Sequence, residues 1–248
     1  LEKLGDKYWF ALRFFTRLPI SFSKSSDTNL ASAAIAFPLA GLTIGLICAL
    51  VWLVFALFLP PLSAAGLTIL CGLLLTGALH EDGFSDCADG LGGGFTKDRA
   101  LEIMRDSRIG AYGACALIVT IGLRWTGLAS FSLLDGALAL VIAHMTGRAA
   151  ITIALAYSSY ARESGLGKSV SNGIEEQDFW FIFLITALLA FALGWFAGLF
   201  ACLVGFAAAW AFLKYLEKRL DGYTGDGLGS MEQCAEIAAL LTLLVFWT

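Results

Sequence analysis

Long uncharged runs separated by short polar clusters dominate this chain. Windows of about twenty apolar residues, enough to cross a bilayer as a helix, predict spans near 31–59, 62–80, 110–131, 136–157, 179–196, 198–213 and 235–248. The first is overlong for one crossing, and its Pro38, Gly41 and Gly45 predict a kink or tilt together with close helix packing. The short join LGWFAG predicts a tight hairpin between the fifth and sixth spans. Residues 1–18 carry a different pattern. Leu1, Leu4, Tyr8, Leu12, Phe15 and Leu18 share one helical face, opposite most charges, and Trp9, Phe10 and Phe14 widen the apolar arc. This predicts an interfacial amphipathic helix ended by Pro19. Glu2, Asp6, Arg13 and Arg17 interrupt any signal-peptide core there. The expected fold is all-α: a polytopic membrane helix bundle of about six to eight transmembrane helices plus the N-terminal interfacial helix.

Composition supports this pattern. Residues are 58% hydrophobic and 15% charged, with mean hydropathy +0.79, whereas soluble domains carry about 25% charged residues. Four prolines and no Ser- or Pro-rich linker predict a single integral-membrane domain over 1–248. Cys48, Cys71, Cys87, Cys115, Cys202 and Cys234 are scattered with no CxxC pair and read as small apolar fillers. Net charge, −4, matters less than placement. Lys3, Lys7, Arg13, Arg17, Lys24, Lys97, Arg99, Arg105, Arg108, Arg162, Lys168, Lys214, Lys218 and Arg219 all fall on one side of the predicted spans. The opposite loops carry none. By the positive-inside rule that side is cytoplasmic, as expected for a multi-pass protein of the cytoplasmic (inner) membrane. Arg124 and Arg148 lie within spans and need partners.

Chemistry concentrates in TGALHEDGFSDCADGLGGG. Asp82, Asp86 and Asp89, at i, i+4 and i+7, share a helix face within an arc of about sixty degrees. Carboxylates at membrane depth cost about 2.5–3.5 kcal/mol each, and three together repel one another unless a cation lies between them. Hard oxygen donors without Cys or His suit Mg²⁺, Mn²⁺ or Ca²⁺, and a sparsely held Mg²⁺ commonly clamps a diphosphate. The bland alternative is a solvated helix start. Gly83, Ser85, Ala88 and Gly90 leave room for a bulky ligand or another helix. His80 reads more readily as a core histidine than as a base, and Glu81 points to another face.

Further along, the glycines of LGGGF (91–95) suit either a phosphate nest or a connector. TKDRALEIMRDSRIGAYG predicts a charged helix near the membrane surface, with Arg105 and Arg108 flanking Asp106 and placed for phosphate. Arg148, beside Gly147, Ala149 and Ala150, is either a functional residue or one half of an ion pair with an aspartate. DGYTGDGLGSMEQ places Thr224, Gly225 and Asp226 in a Gly-rich turn ahead of the last span, where hydroxyl and carboxylate would complete a metal or nucleotide site.

Taken in order, FFTRLPI (14–20), FPLAGLTIG (37–45), H-x-D-G-x-x-D-x-x-D-G (80–90), EIMRDSRIGAYG (102–113), YARESGLGK (160–168) and TGDGLG (224–229) resemble the cobalamin synthase family, the adenosylcobinamide-GDP ribazoletransferases. The resemblance implies a Mg²⁺-dependent transferase. Its substrates would be adenosylcobinamide-GDP and α-ribazole or α-ribazole 5′-phosphate, with release of GMP. Asp82, Asp86 and Asp89 would be the catalytic set and, with Asp226, the metal ligands, Asp89 serving as general base. Arg105, Asp106, Arg108, Arg148, Thr224, Gly225 and Asp226 would meet substrate phosphates. Lipid is an expected partner and nucleic acid is not. A homo-oligomer, or association with other nucleotide-loop assembly enzymes, stays open. Two alternatives are a CDP-alcohol phosphotransferase-like phospholipid synthase and a cation transporter. The former family's signature has an Ala-Arg pair that is missing after Asp86, and a transporter would place its charges nearer the bilayer midplane.

Overall fold

The computed structural model describes residues 2–20, 29–162 and 173–248, and most of these are helical. In chain order the helices are α1 (Glu2–Phe15), α2 (Leu30–Ala33), α3 (Phe37–Ala56), α4 (Pro61–Thr76), α5 (Leu79–Gly93), α6 (Lys97–Ile103), α7 (Ala111–Ser130), α8 (Leu133–Ala150), α9 (Thr152–Tyr157), α10 (Glu176–Leu220) and α11 (Gly225–Trp247). Five helical stretches are long and apolar enough to cross a membrane, or six if the bent α4–α5 pair counts as one. The protein is therefore an all-α, multi-pass membrane bundle.

Helix α8 forms its centre, with α3, α10 and α11 packed around it. Small residues allow the approach. A Cβ on Gly41 would sit 2.8 Å from the Met145 Cα, and one on Gly45 would sit 2.7 Å from the Val141 Cα. In a bilayer, where lipid tails are as apolar as leucine, such backbone-close contacts drive helix association. The break expected near Pro38 is a 3₁₀ turn at Ala34–Ala36; Pro38 itself occupies the first turn of α3, where its missing N–H is harmless.

A straight 45-residue α10 would reach about 68 Å, more than twice the hydrocarbon core. Gly194 and Trp195 leave the helical region, Trp195 with φ 50°. The two arms then fold back, bringing the Phe183 and Phe206 rings to 4.9 Å. This is the hairpin anticipated at LGWFAG.

Three expected boundaries differ. The span near 62–80 stops at Thr76, where Gly77 (φ 66°) and Ala78 (φ 54°) turn left-handed and α5 departs at 89°. The Arg17 side chain packs on Gly77, and the Arg17 N–H donates to the Leu75 carbonyl at 2.7 Å, fixing the corner to the end of α1. Apolar composition runs straight through this bend, so hydropathy does not register it. The last helix starts at Gly225 rather than near 235, because Thr224 caps it and its polar first half is buried against other helices. The charged segment is helical only over Lys97–Ile103, and a loop follows.

Helix α1 buries Ala11, Leu12 and Phe15 against the bundle, while Leu4, on the same apolar face, is 42% exposed. Leu1, Lys24 and Lys168, with residues 163–168 of YARESGLGK, lie outside the described residues. All six cysteines are free.

Candidate active site

The acidic motif is helical as its spacing predicts, and α5 is gripped on three sides. Gly83 meets α11: a Cβ there would lie 2.9 Å from the Asp226 carbonyl oxygen. Ser230 of α11 adds a hydroxyl donated to the Gly83 carbonyl at 3.2 Å. Gly90 accepts Ala100 of α6 and Met104 at its C-terminal cap, and Gly92 accepts the Tyr112 ring. The last carbonyls of α5 are met by a cation, as helix C-termini favour: Arg219 donates to Leu91 O at 3.1 Å and to Gly94 O at 2.5 Å. The small residues around the aspartates thus admit neighbouring helices, and the glycines of LGGGF serve packing.

The three aspartates are not equivalent. Asp82 is exposed and Asp86 half-buried, and among the described residues neither carboxylate has a hydrogen-bond partner or ion pair. Asp89 is buried, with Oδ2 accepting the Gly110 N–H at 2.7 Å and Oδ1 accepting the Gly113 N–H at 2.9 Å. These are unpaired donors at the start of α7, where a carboxylate is favoured by the helix dipole. Asp89 therefore ties α5 to α7 and to the loop before it.

That loop carries the predicted phosphate contacts. Arg105 and Arg108 are exposed. Arg108 closes onto Asp106 through Nε at 3.0 Å and Nη2 at 2.6 Å. These side-chain bonds, with the Arg108 backbone N–H, hold the Asp106 carboxyl down at about 2, so it stays charged.

Across from α5 lies the first turn of α11. Thr224 is fully buried, its hydroxyl oxygen accepting the Gly227 N–H at 3.0 Å, so it works as a helix cap. Gly225 is exposed. Asp226 Oδ2 accepts from Arg162 Nη2 at 2.7 Å. Arg162 is placed by backbone pairing between its own strand-like segment and the loop ahead of α11: Tyr223 N–H to Ser159 O at 2.9 Å and Ala161 N–H to Tyr223 O at 2.8 Å. Gly222, at φ 151°, permits this close approach. Asp82, Asp89, Asp226 and Arg162 all lie within Coulombic reach of Asp86.

Among the described residues no three His, Cys, Asp or Glu side chains enclose a common point. The reason is local. Asp89 faces α7 and Asp226 faces Arg162, leaving Asp82 and Asp86 as the open pair. Their hard oxygens, with Asp226 opposite, match the donor chemistry of Mg²⁺, which keeps waters and needs few protein ligands.

Deeper in the bundle runs a second, buried set of charges. Arg124 donates to Glu81 Oε1 at 2.7 Å and to Glu236 Oε1 at 3.0 Å. Arg148, 2% exposed, pairs with both Glu232 and Glu236. His144 Nδ1 lies 2.7 Å from Glu236 Oε2, and His80 Nδ1 3.1 Å from Glu232 Oε2. The two intramembrane arginines thus have the partners they require. Arg148 pairs with glutamates rather than aspartates, and these sit about 9–15 Å beyond Asp226 along α11. It is not brought to Asp82 or Asp86. Glu232, Glu236, Gln233 and His144 were not singled out from sequence; their signal was the demand of Arg124 and Arg148 for counter-charges.

Comparison with known proteins gives the family. The family model described as cobalamin-5-phosphate synthase matches residues 7–244. The chain is similar to the adenosylcobinamide-GDP ribazoletransferase of Ralstonia nicotianae, with 39% identity over 100% of this chain and 98% of that protein. It is also similar to proteins of the same name from Bradyrhizobium diazoefficiens (42% identity, 95% of this chain and 92% of that protein) and Vibrio parahaemolyticus (37%, 98% and 93%). No solved structure matches it significantly. With a family model spanning nearly its whole length and relatives matched end to end, the chain belongs to the cobalamin-5-phosphate synthase family.

Proposed function

We propose that this chain is an adenosylcobinamide-GDP ribazoletransferase of the cytoplasmic membrane. It joins adenosylcobinamide phosphate to α-ribazole or α-ribazole 5′-phosphate and releases GMP. The observation carrying this reading is the open Asp82–Asp86 pair on α5, facing Asp226 on α11 with Arg162 beside it, in a chain of this family. Mg²⁺ held by Asp82 and Asp86, with Asp226, would neutralise the substrate diphosphate and favour departure of the phosphate.

The remaining work falls to side chains. The α-ribazole hydroxyl attacks the cobinamide-side phosphorus, its bond to the bridging oxygen breaks, and GMP leaves. Asp82 or Asp86 accepts the hydroxyl proton, because their carboxylates are open while Asp89 is buried and turned onto the start of α7. Arg105 and Arg108 orient phosphate from the loop that Asp89 fastens. Arg124 and Arg148 keep α5, α7, α8 and α11 in register around the site.

The basic loops support the orientation. Lys97 bonds Asp221 at 3.1 Å and Arg219 bonds the end of α5, while Tyr223 pairs with the segment carrying Arg162. These loops converge at the end of the bundle that bears the acidic face, and their lysines and arginines support a cytoplasmic placement.

The test is an assay of the full chain in lipid vesicles with adenosylcobinamide-GDP, α-ribazole and Mg²⁺. GMP and the joined product should form, stop on chelation with EDTA and resume when Mg²⁺ is restored. No GMP release, together with CMP release from CDP-diacylglycerol and an alcohol acceptor, would overturn the reading in favour of a phospholipid synthase.

A further inference from the structure

Arg162 is a mostly enclosed cation at the acidic face, and among the described residues only part of its bonding capacity is used. Its side chain is 12% exposed, and Nη2 bonds Asp226 at 2.7 Å. Its Nε–H is buried with no hydrogen-bond partner among the described residues. A guanidinium presents five donors in a planar fork suited to two-point contact with carboxylate or phosphate. A buried donor left unpaired is costly. Arg124 and Arg148 also leave their Nε–H unpaired, but deep in the ionic network, whereas that of Arg162 lies beside the open carboxylates of the acidic face. The backbone pairing of Ser159 and Ala161 with Tyr223 holds Arg162 at the first turn of α11, within Coulombic reach of Asp86.

We propose that Arg162 is a substrate-binding residue that exchanges partners. With Asp226 it forms an internal ion pair. A nucleoside diphosphate arriving with its divalent cation offers a better match to each partner. The cation draws the Asp226 carboxylate, and the phosphate oxygens take the Arg162 fork through Nε and Nη2. The exchange keeps every charge compensated, avoiding the large penalty of a lone buried ion. It also couples the two ligands: the metal alone must compete with Arg162 for Asp226, whereas metal and diphosphate together satisfy both. This inference rests on the proposed metal-diphosphate site and adds a residue and a coupling to it.

The experiment measures binding of Mn²⁺ alone and of Mn²⁺ with GDP to the full chain in lipid, for wild type, Arg162→Gln and Arg162→Lys. Arg162→Gln should bind Mn²⁺ alone at least as tightly as wild type, since Asp226 is released. Its affinity for GDP in saturating Mn²⁺ should fall about 10- to 100-fold, the range for a lost charge-assisted hydrogen bond. Arg162→Lys, keeping charge but not the fork, should fall between them. Equal loss of both affinities would mark Arg162 as merely structural, and unchanged GDP affinity would exclude phosphate contact; either overturns the proposal. Asp82→Asn in the same assay judges the metal site separately. If it binds Mn²⁺ as wild type does, the underlying site reading fails whatever Arg162 does.

Discussion

Asp89 of α5 accepts the Gly113 N–H of α7 at 2.9 Å, joining the end of the acidic motif to the start of the next span. Its other oxygen accepts Gly110 N–H at 2.7 Å, and a Cβ on Gly113 would collide with the same carboxylate. The third aspartate of the motif therefore fastens the loop that carries Arg105 and Arg108.

Asp89→Ala should accordingly destabilise the protein by about 1–3 kcal/mol, the cost of stranding the buried Gly113 donor. Thermal unfolding in detergent should show the loss, while Mn²⁺ binding persists. An unchanged melting temperature with abolished Mn²⁺ binding would instead make Asp89 a metal ligand.

The Arg124–Glu81 contact, buried at 2.7 Å, joins helices α7 and α5 in the bundle interior. Arg124→Met leaves Glu81 without its cation and Glu236 with only part of its compensation. It should cost about 3–5 kcal/mol. Glu81→Gln in the same background should cost less than it does alone, with a coupling of about 1–3 kcal/mol in a double-mutant cycle. Strict additivity would show that the pair does not act as a unit.

Gly83→Ala places a Cβ 2.9 Å from the Asp226 carbonyl oxygen. Backbone cannot rotate aside as a side chain does, so α11 must shift away from α5, at a cost of about 1–3 kcal/mol. Turnover should fall further than stability alone explains, because Asp226 moves with its helix. Gly122→Ala on α7 is the control: nothing lies within 4 Å of its Cβ, and it should gain about 0.5–1 kcal/mol of helix propensity. Equal behaviour of the two variants would remove the α5–α11 contact from the account.

Sequence periodicity alone revealed the helix carrying Asp82, Asp86 and Asp89, because shared-face spacing is a local property. The roles within that set were not legible. What distinguishes Asp89 from Asp86 is a partner 24 residues away, on another helix. The same holds for the ionic network. Arg124 and Arg148 declared a need for counter-charge, but the Arg124 partners stand 43 and 112 residues distant. Hydropathy placed the last span too late for a related reason. Glu232, Gln233 and Glu236 lower the window average although they are buried, the glutamates pairing with Arg148 of α8 and Gln233 donating to Glu81 of α5 at 3.4 Å. The left-handed corner at Gly77–Ala78 escaped because bending leaves composition unchanged.

The most direct measurement is GMP release from adenosylcobinamide-GDP and α-ribazole by wild type, Asp82→Asn and Asp86→Asn, each in lipid with saturating Mg²⁺. These carboxylates have no structural partner among the described residues, so both variants should keep the wild-type melting temperature. Both should lose at least about a hundredfold in turnover, as expected when preorganised charge at a reacting phosphate is removed. Wild-type rates in either variant, with folding intact, would contradict the assignment of the active site to this face of α5.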